Sequence, residues 1–270
     1  MKRFCPILFF SCALVAAPTV EETFRRLYDH DFTGSLATAD AYVALNSADP
    51  MAHAARASAC LFSELHRLNL LGKEFMTSDD KIKSAERALP KERARLEFLR
   101  SVGEARRLAA RVLSSHATDV NALLAMTIVT GLERDYDALI EKRLRASLER
   151  AKESQQYALR LNAADPTQYD AYFTFGFSEY LIGSLPFFAK WFMKLEAIEG
   201  NKAKGLAHLE TAATKGRYLS PFARMMLAMF YMREKRPDDS RRHLRELARE
   251  FPGNTAVRAE LARLERPAAR

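Results

Sequence analysis

A six-residue mark occurs twice in this chain and leaves it few ways to fold. Leu45-Asn46-Ser47-Ala48-Asp49-Pro50 and Leu161-Asn162-Ala163-Ala164-Asp165-Pro166 share the pattern L-N-x-A-D-P, each between two amphipathic stretches. Asp suits the cap of a new helix, and Pro is tolerated in a first turn, where its missing N–H has no partner anyway. One helix therefore ends and an antiparallel one begins within a few residues. Phe251-Pro252-Gly253-Asn254 is a third mark of this kind. Ten glycines among 270 residues are about half the usual share of ~7%, which disfavours the Gly-rich turns of a β-sandwich or a Rossmann sheet. Hydrophobic residues at 48% supply a packed core and exclude wholesale disorder. The expected fold class is all-α.

Helical hairpins in series, with small residues at fixed places and a closing Pro, resemble tetratricopeptide (TPR) repeats of 34 residues. The best match is Pro221 to Asn254. Leu227, Ala228 and Tyr231 fall where the first helix of such a repeat carries its large-small-aromatic triplet; Ser240, Leu244 and Leu247 fall on the second helix, and Pro252 closes the unit. More divergent units are carried by Thr38, Tyr42 and Leu45, by Ala54, Ala57, Ser58 and Leu61, by Ser154, Ala158 and Leu161, and by Tyr172, Phe175 and Gly176. Glu179 departs from the aromatic expected at its place, and Asn121 to Gly131 has no clear register. The resemblance implies an irregular TPR-like α-α superhelix over residues 18–266, with about five hairpins and a C-terminal capping helix at Asn254 to Glu265. Insertions interrupt it at about 71–90 and 183–200. A long helix follows the first insertion, with Leu96, Leu99, Val102, Leu108 and Val112 on one side. Residues 267–270 read as a disordered tail. The segments Asp165 to Tyr172, Tyr180 to Pro186, Lys204 to Leu206 and Lys215 to Leu219 also resemble a set of exported bacterial TPR-like proteins, which implies a fold and an export route but no activity.

The export route has its own signal. Lys2 and Arg3 precede fourteen uncharged, mostly apolar residues, Phe4 to Ala17. This suits a secretory signal peptide over 1–17 and is short for a membrane span. The alternative is a lipoprotein leader acylated at Cys12, which Phe9-Phe10-Ser11 matches loosely. With Cys5 and Cys12 in a removed leader the mature chain keeps Cys60 alone, in an apolar stretch that reads as core. The periplasm is the expected address. The formal charge of +8 is spread among interspersed acids and bases, so no one-sided basic stripe for nucleic acid is present.

Two stretches stand out as candidate ligand-binding surfaces. In the first, Ala171 to Met193, a TPR register would turn Phe173, Phe177 and Tyr180 to the concave side. The second is the stripe Phe222, Met225, Met229 and Met232, whose spacings of 3, 4 and 3 put it on one helix face. Phe187, Phe188, Trp191 and Phe192, flanked by Lys190 and Lys194, suit peripheral membrane contact. His30, His53, His66, His116, His208 and His243 are scattered without metal-ligand spacing, so neither a metal nor a cofactor is expected. No base with an orienting partner can be assembled, so no catalytic residues are named. The expectation is a non-enzymatic envelope scaffold holding a protein or peptide in a concave groove. The alternative is a periplasmic carrier or accessory for a hydrophobic small molecule or lipid. An open groove of mixed polarity would favour the first, and a closed apolar cavity of a few hundred Å³ the second.

Overall fold

The computed structural model describes residues 17–71, 90–185 and 200–266. Among them are eleven α-helices, one π-helical turn and no strand. In chain order they are α1 (Val20–Tyr28), α2 (Phe32–Leu45), α3 (Pro50–Arg67), α4 (Glu92–Ser115), α5 (Val120–Asp135), the π turn (Tyr136–Ile140), α6 (Leu144–Ala164), α7 (Ala171–Ser184), α8 (Lys202–Lys215), α9 (Ser220–Arg233), α10 (Pro237–Glu250) and α11 (Thr255–Glu265). α1 packs on α2, α3 on α4, α5 on α6, α7 on α8 and α9 on α10, and α11 closes against α10. The fold is thus the all-α series of five hairpins and a cap. The leader through residue 16 with Cys12, the middle of both insertions with Phe187, Phe188, Trp191 and Phe192, and the tail 267–270 lie outside the described residues.

The helix starts follow local chemistry. Asp49 accepts the Met51 N–H at 2.9 Å and Pro50 is the first residue of α3. Asp119 opens α5 through the Ala122 N–H at 2.8 Å, and Asn254 opens α11 through the Val257 N–H at 3.0 Å. The second L-N-x-A-D-P mark behaves differently from expectation. Asp165 binds the Thr167 N–H at 2.9 Å within a turn, and α7 begins only at Ala171. Asp170, which precedes α7, turns its carboxylate to the backbone N–H groups of Tyr218 (3.0 Å) and Leu219 (2.8 Å), where the chain enters α9.

Small residues set the closest crossing. A Cβ on Gly176 of α7 would stand 2.6 Å from the Gly205 carbonyl oxygen of α8, and one on Gly205 would stand 2.6 Å from the Tyr180 nitrogen. Only hydrogen at both places lets the two backbones touch. Leu227, Ala228, Tyr231, Ser240, Leu244 and Leu247 are all buried, as their places in the repeat require. Glu179, where an aromatic was expected, is buried and paired with Lys204 (3.0 Å) and His208 (2.8 Å) of α8.

Two helices correct the sequence pattern. In α4 the buried face is Phe98, Val102, Ala105, Leu108 and Ala109, while Leu96 and Leu99 are exposed. The face rotates because Phe98 stacks on Tyr136 of the π turn, centroids 4.9 Å apart. α5 contacts α3, α4, α6 and α7. Leu123, Leu124, Met126, Ile128 and Val129 are therefore all buried; a helix surrounded on every side has no polar face from which to read a register.

The first helix meets the last repeat. The Tyr28 hydroxyl donates to the Tyr218 carbonyl at 2.9 Å, and the Asn254 side-chain amide donates to the Tyr28 carbonyl at 2.9 Å. Phe24 lies against Tyr218 (5.5 Å) and Tyr28 against Phe251 (5.8 Å). Arg217 pairs with Glu21. The Gly253 N–H reaches Asp29 Oδ1 at 2.6 Å, and a Cβ there would strike the Asp29 carbonyl oxygen at 2.5 Å. The series of hairpins closes on itself.

Candidate functional site

Where the two ends of the chain meet, the helices border a partly open apolar cavity of about 400 Å³. One wall is the face of α9 bearing Phe222, Met225, Met229 and Met232, joined by Met226. Phe62, Leu65 and Leu70 come from α3 and the residues just after it, Phe177 and Leu181 from α7, and Ala138 and Leu139 from the π turn. Leu27 of α1, Leu244 of α10 and Val257 of α11 add to the lining from the two chain ends. Phe62 and Phe222 meet edge to face at 5.5 Å across the space.

Five of the seven residues singled out from the sequence come together here: Phe177, Phe222, Met225, Met229 and Met232. Phe173 and Tyr180 do not line it. Phe173 is buried behind the wall, 5.0 Å from Phe222 and 5.7 Å from Phe177. Tyr180 is core: its ring stacks on Phe230 at 3.8 Å and its hydroxyl donates to Glu234 at 2.9 Å. Burial, with Glu234 adding to it, pushes the Tyr180 phenol up to about 12. The expected concave orientation fails for these two because α8 and α9 cover that face of α7.

Polar groups on the wall are few. Arg134, at the last turn of α5, has a side chain only 9% exposed and donates through Nε to Asp135 at 2.8 Å. Its guanidinium lies over the Phe177 ring, 4.5 Å from the centroid. The π turn that follows is pinned by Tyr136 on Phe98 and by Asp137, which accepts from Arg143. His30 adopts a left-handed φ of 63° and packs between Phe32 and His66, at 5.1 and 5.5 Å. Its Nδ1 has no hydrogen-bond partner among the described residues. Burial, then the neighbouring His66, lower its pKa to about 4, so the imidazole is neutral at pH 7.

The titratable clusters elsewhere bind helices together. Glu210 of α8 accepts from the Tyr231 hydroxyl of α9 at 2.7 Å and lies 3.1 Å from His243 Nε2 of α10. Burial would raise its pKa, but the hydrogen bonds from His243, Tyr231 and Arg242 hold it down to about 2. Cys60 is buried, and burial pushes its thiol up to about 11. Among the described residues no group of three His, Cys, Asp or Glu side chains could hold a metal ion. No helix among them is long and apolar enough to cross a membrane.

Sequence reasoning found the α9 face from its spacing. It missed Arg134, His30 and Phe62, which come to the cavity through contacts between helices far apart in the chain. A polar side chain closing the otherwise apolar run of α5 was the one signal that pointed to Arg134.

The family model described as Tetratricopeptide repeat matches residues 221–264, covering α9, α10 and nearly all of α11. No curated protein matches the chain.

Proposed function

We propose that this TPR-like helical repeat protein is a non-enzymatic binding protein of the bacterial envelope, and that its cavity takes up a hydrophobic small molecule or lipid chain. What supports this reading is the partly open apolar cavity of about 400 Å³ beside the joined ends of the array. Its size falls within the range of ligand pockets, roughly 300–1,000 Å³. The methionines of α9 repack at little cost around apolar shapes. The leader over residues 1–17 supports the address.

A second reading, a scaffold for a protein or peptide, is favoured by the match of residues 221–264 to a repeat that commonly serves protein interaction. In that reading the same α9 face grips an apolar side chain of the partner. Native mass spectrometry of the protein taken from its own envelope separates the two. A lipid-sized adduct is the expected result; a stoichiometric protein partner with no adduct would favour the scaffold. Phe177→Asp places a charge in the wall and abolishes ligand uptake, and unchanged uptake by a folded variant would reject the cavity. The mature N-terminus tests the address: a residue near 17 fits a cleaved leader, and acylated Cys12 fits a lipoprotein.

A further inference from the structure

Resting on that reading of the cavity, we infer that the bound molecule is an apolar chain ending in a carboxylate, and that Arg134 receives the carboxylate. The side chain of Arg134 is more than nine-tenths buried and forms part of the cavity wall. Asp135 engages its Nε, and neither terminal nitrogen has a hydrogen-bond partner among the described residues. Terminal N–H groups that border an apolar cavity can take an acceptor brought in by the ligand. The planar fork matches a carboxylate in two parallel hydrogen bonds, and apolar surroundings strengthen such a pair.

The neighbours hold the fork in place. Phe177 supports one face of the guanidinium at 4.5 Å, and Asp135 fixes the edge that carries Nε. The π turn begins at once after Asp135 and contributes Ala138 and Leu139 to the wall. Beyond the fork the lining is apolar toward Phe222 and the methionines of α9, the setting an alkyl chain needs. Asp135, Arg233, His30 and Glu260 also reach the lining, so selectivity for the anionic head is attributed to Arg134 by substitution and not by net charge alone.

The test is isothermal titration of delipidated protein at pH 8 with three probes of equal chain length: dodecanoic acid, 1-dodecanol and dodecylamine. The acid is expected to bind at least tenfold more tightly than the alcohol, the gain of a charged hydrogen-bonded pair, and the amine more weakly than either. Arg134→Gln should bring the acid to the level of the alcohol measured on the same variant. Arg134→Lys should keep part of the preference. Shortening the acid should cost about fourfold per methylene. Equal affinity for acid and alcohol in the unmodified protein overturns the assignment of the head while the cavity reading stands. A preference that survives Arg134→Gln overturns the role of Arg134. Binding of none of the three overturns the cavity reading and this inference with it.

Discussion

Asp170 is 1% exposed and accepts hydrogen bonds from three consecutive backbone N–H groups, those of Arg217, Tyr218 and Leu219. Burial raises its pKa against the pull of those donors. The same three residues present the carbonyl that Tyr28 binds, so one carboxylate fixes both the entry to α9 and the place where α1 docks. Asp170→Ala leaves those N–H groups buried without acceptors and should cost about 3 kcal/mol, read as a fall in the denaturation midpoint at unchanged slope. Asp170→Asn keeps one acceptor oxygen and should cost less. Glu210 gives a pH dependence of defined sign. Its folded pKa of about 2 lies below the ordinary 4.5, so its contribution is complete above 4.5 and is lost as the pH falls toward 2. Thermal melts between pH 6 and pH 2 should show a steeper loss for the natural protein than for Glu210→Gln; parallel curves would show that the carboxylate does not hold α8, α9 and α10 together.

Two glycines on helices separate intrinsic propensity from packing. Gly103 of α4 is exposed and a Cβ there meets nothing within 4 Å, whereas a Cβ on Gly176 would strike the α8 backbone. Gly103→Ala should stabilise the protein by roughly 0.5–1 kcal/mol. Gly176→Ala should destabilise it by roughly 1–3 kcal/mol by forcing α7 and α8 apart. Paired urea titrations read both, and a loss at Gly103 or a gain at Gly176 would contradict the packing described. The helices were largely legible from caps and spacing: Asp49-Pro50 starts α3 where the mark says, and Asn254 starts α11. Where the pattern misled, a neighbour decided. Tyr136 selected Phe98 over Leu96 and Leu99 as the face of α4, and the covering of α7 by α8 and α9 turned Tyr180 into core. Such choices depend on partners far along the chain, which spacing within one helix does not encode.

At the scale of the molecule, closure is the feature with no local signature. The hydrogen bonds from Tyr28 to Tyr218 and from Asn254 to Tyr28 bridge separations of 190 and 226 residues. Half the cavity was therefore readable, the α9 face at spacings of 3, 4 and 3, and half was not, because α1, α3 and the π turn face it only once the ends meet. An open array transmits stability only between neighbours. A closed one should couple its ends. Tyr28→Phe leaves the Tyr218 carbonyl buried and unpaired and should lower hydrogen-exchange protection in α9 and α11 as well as in α1. A loss confined to α1 would show that the ends touch without sharing stability. The Gly253 backbone against Asp29 leaves no slack at the seam. A linear solenoid evolves by copying or dropping one unit, since every interior junction looks alike. Here a duplicated hairpin would carry Tyr28 away from Tyr218 and spill the chamber open. Inserting a whole hairpin is therefore expected to unfold the seam, whereas exchanging side chains that face the chamber is expected to leave it intact.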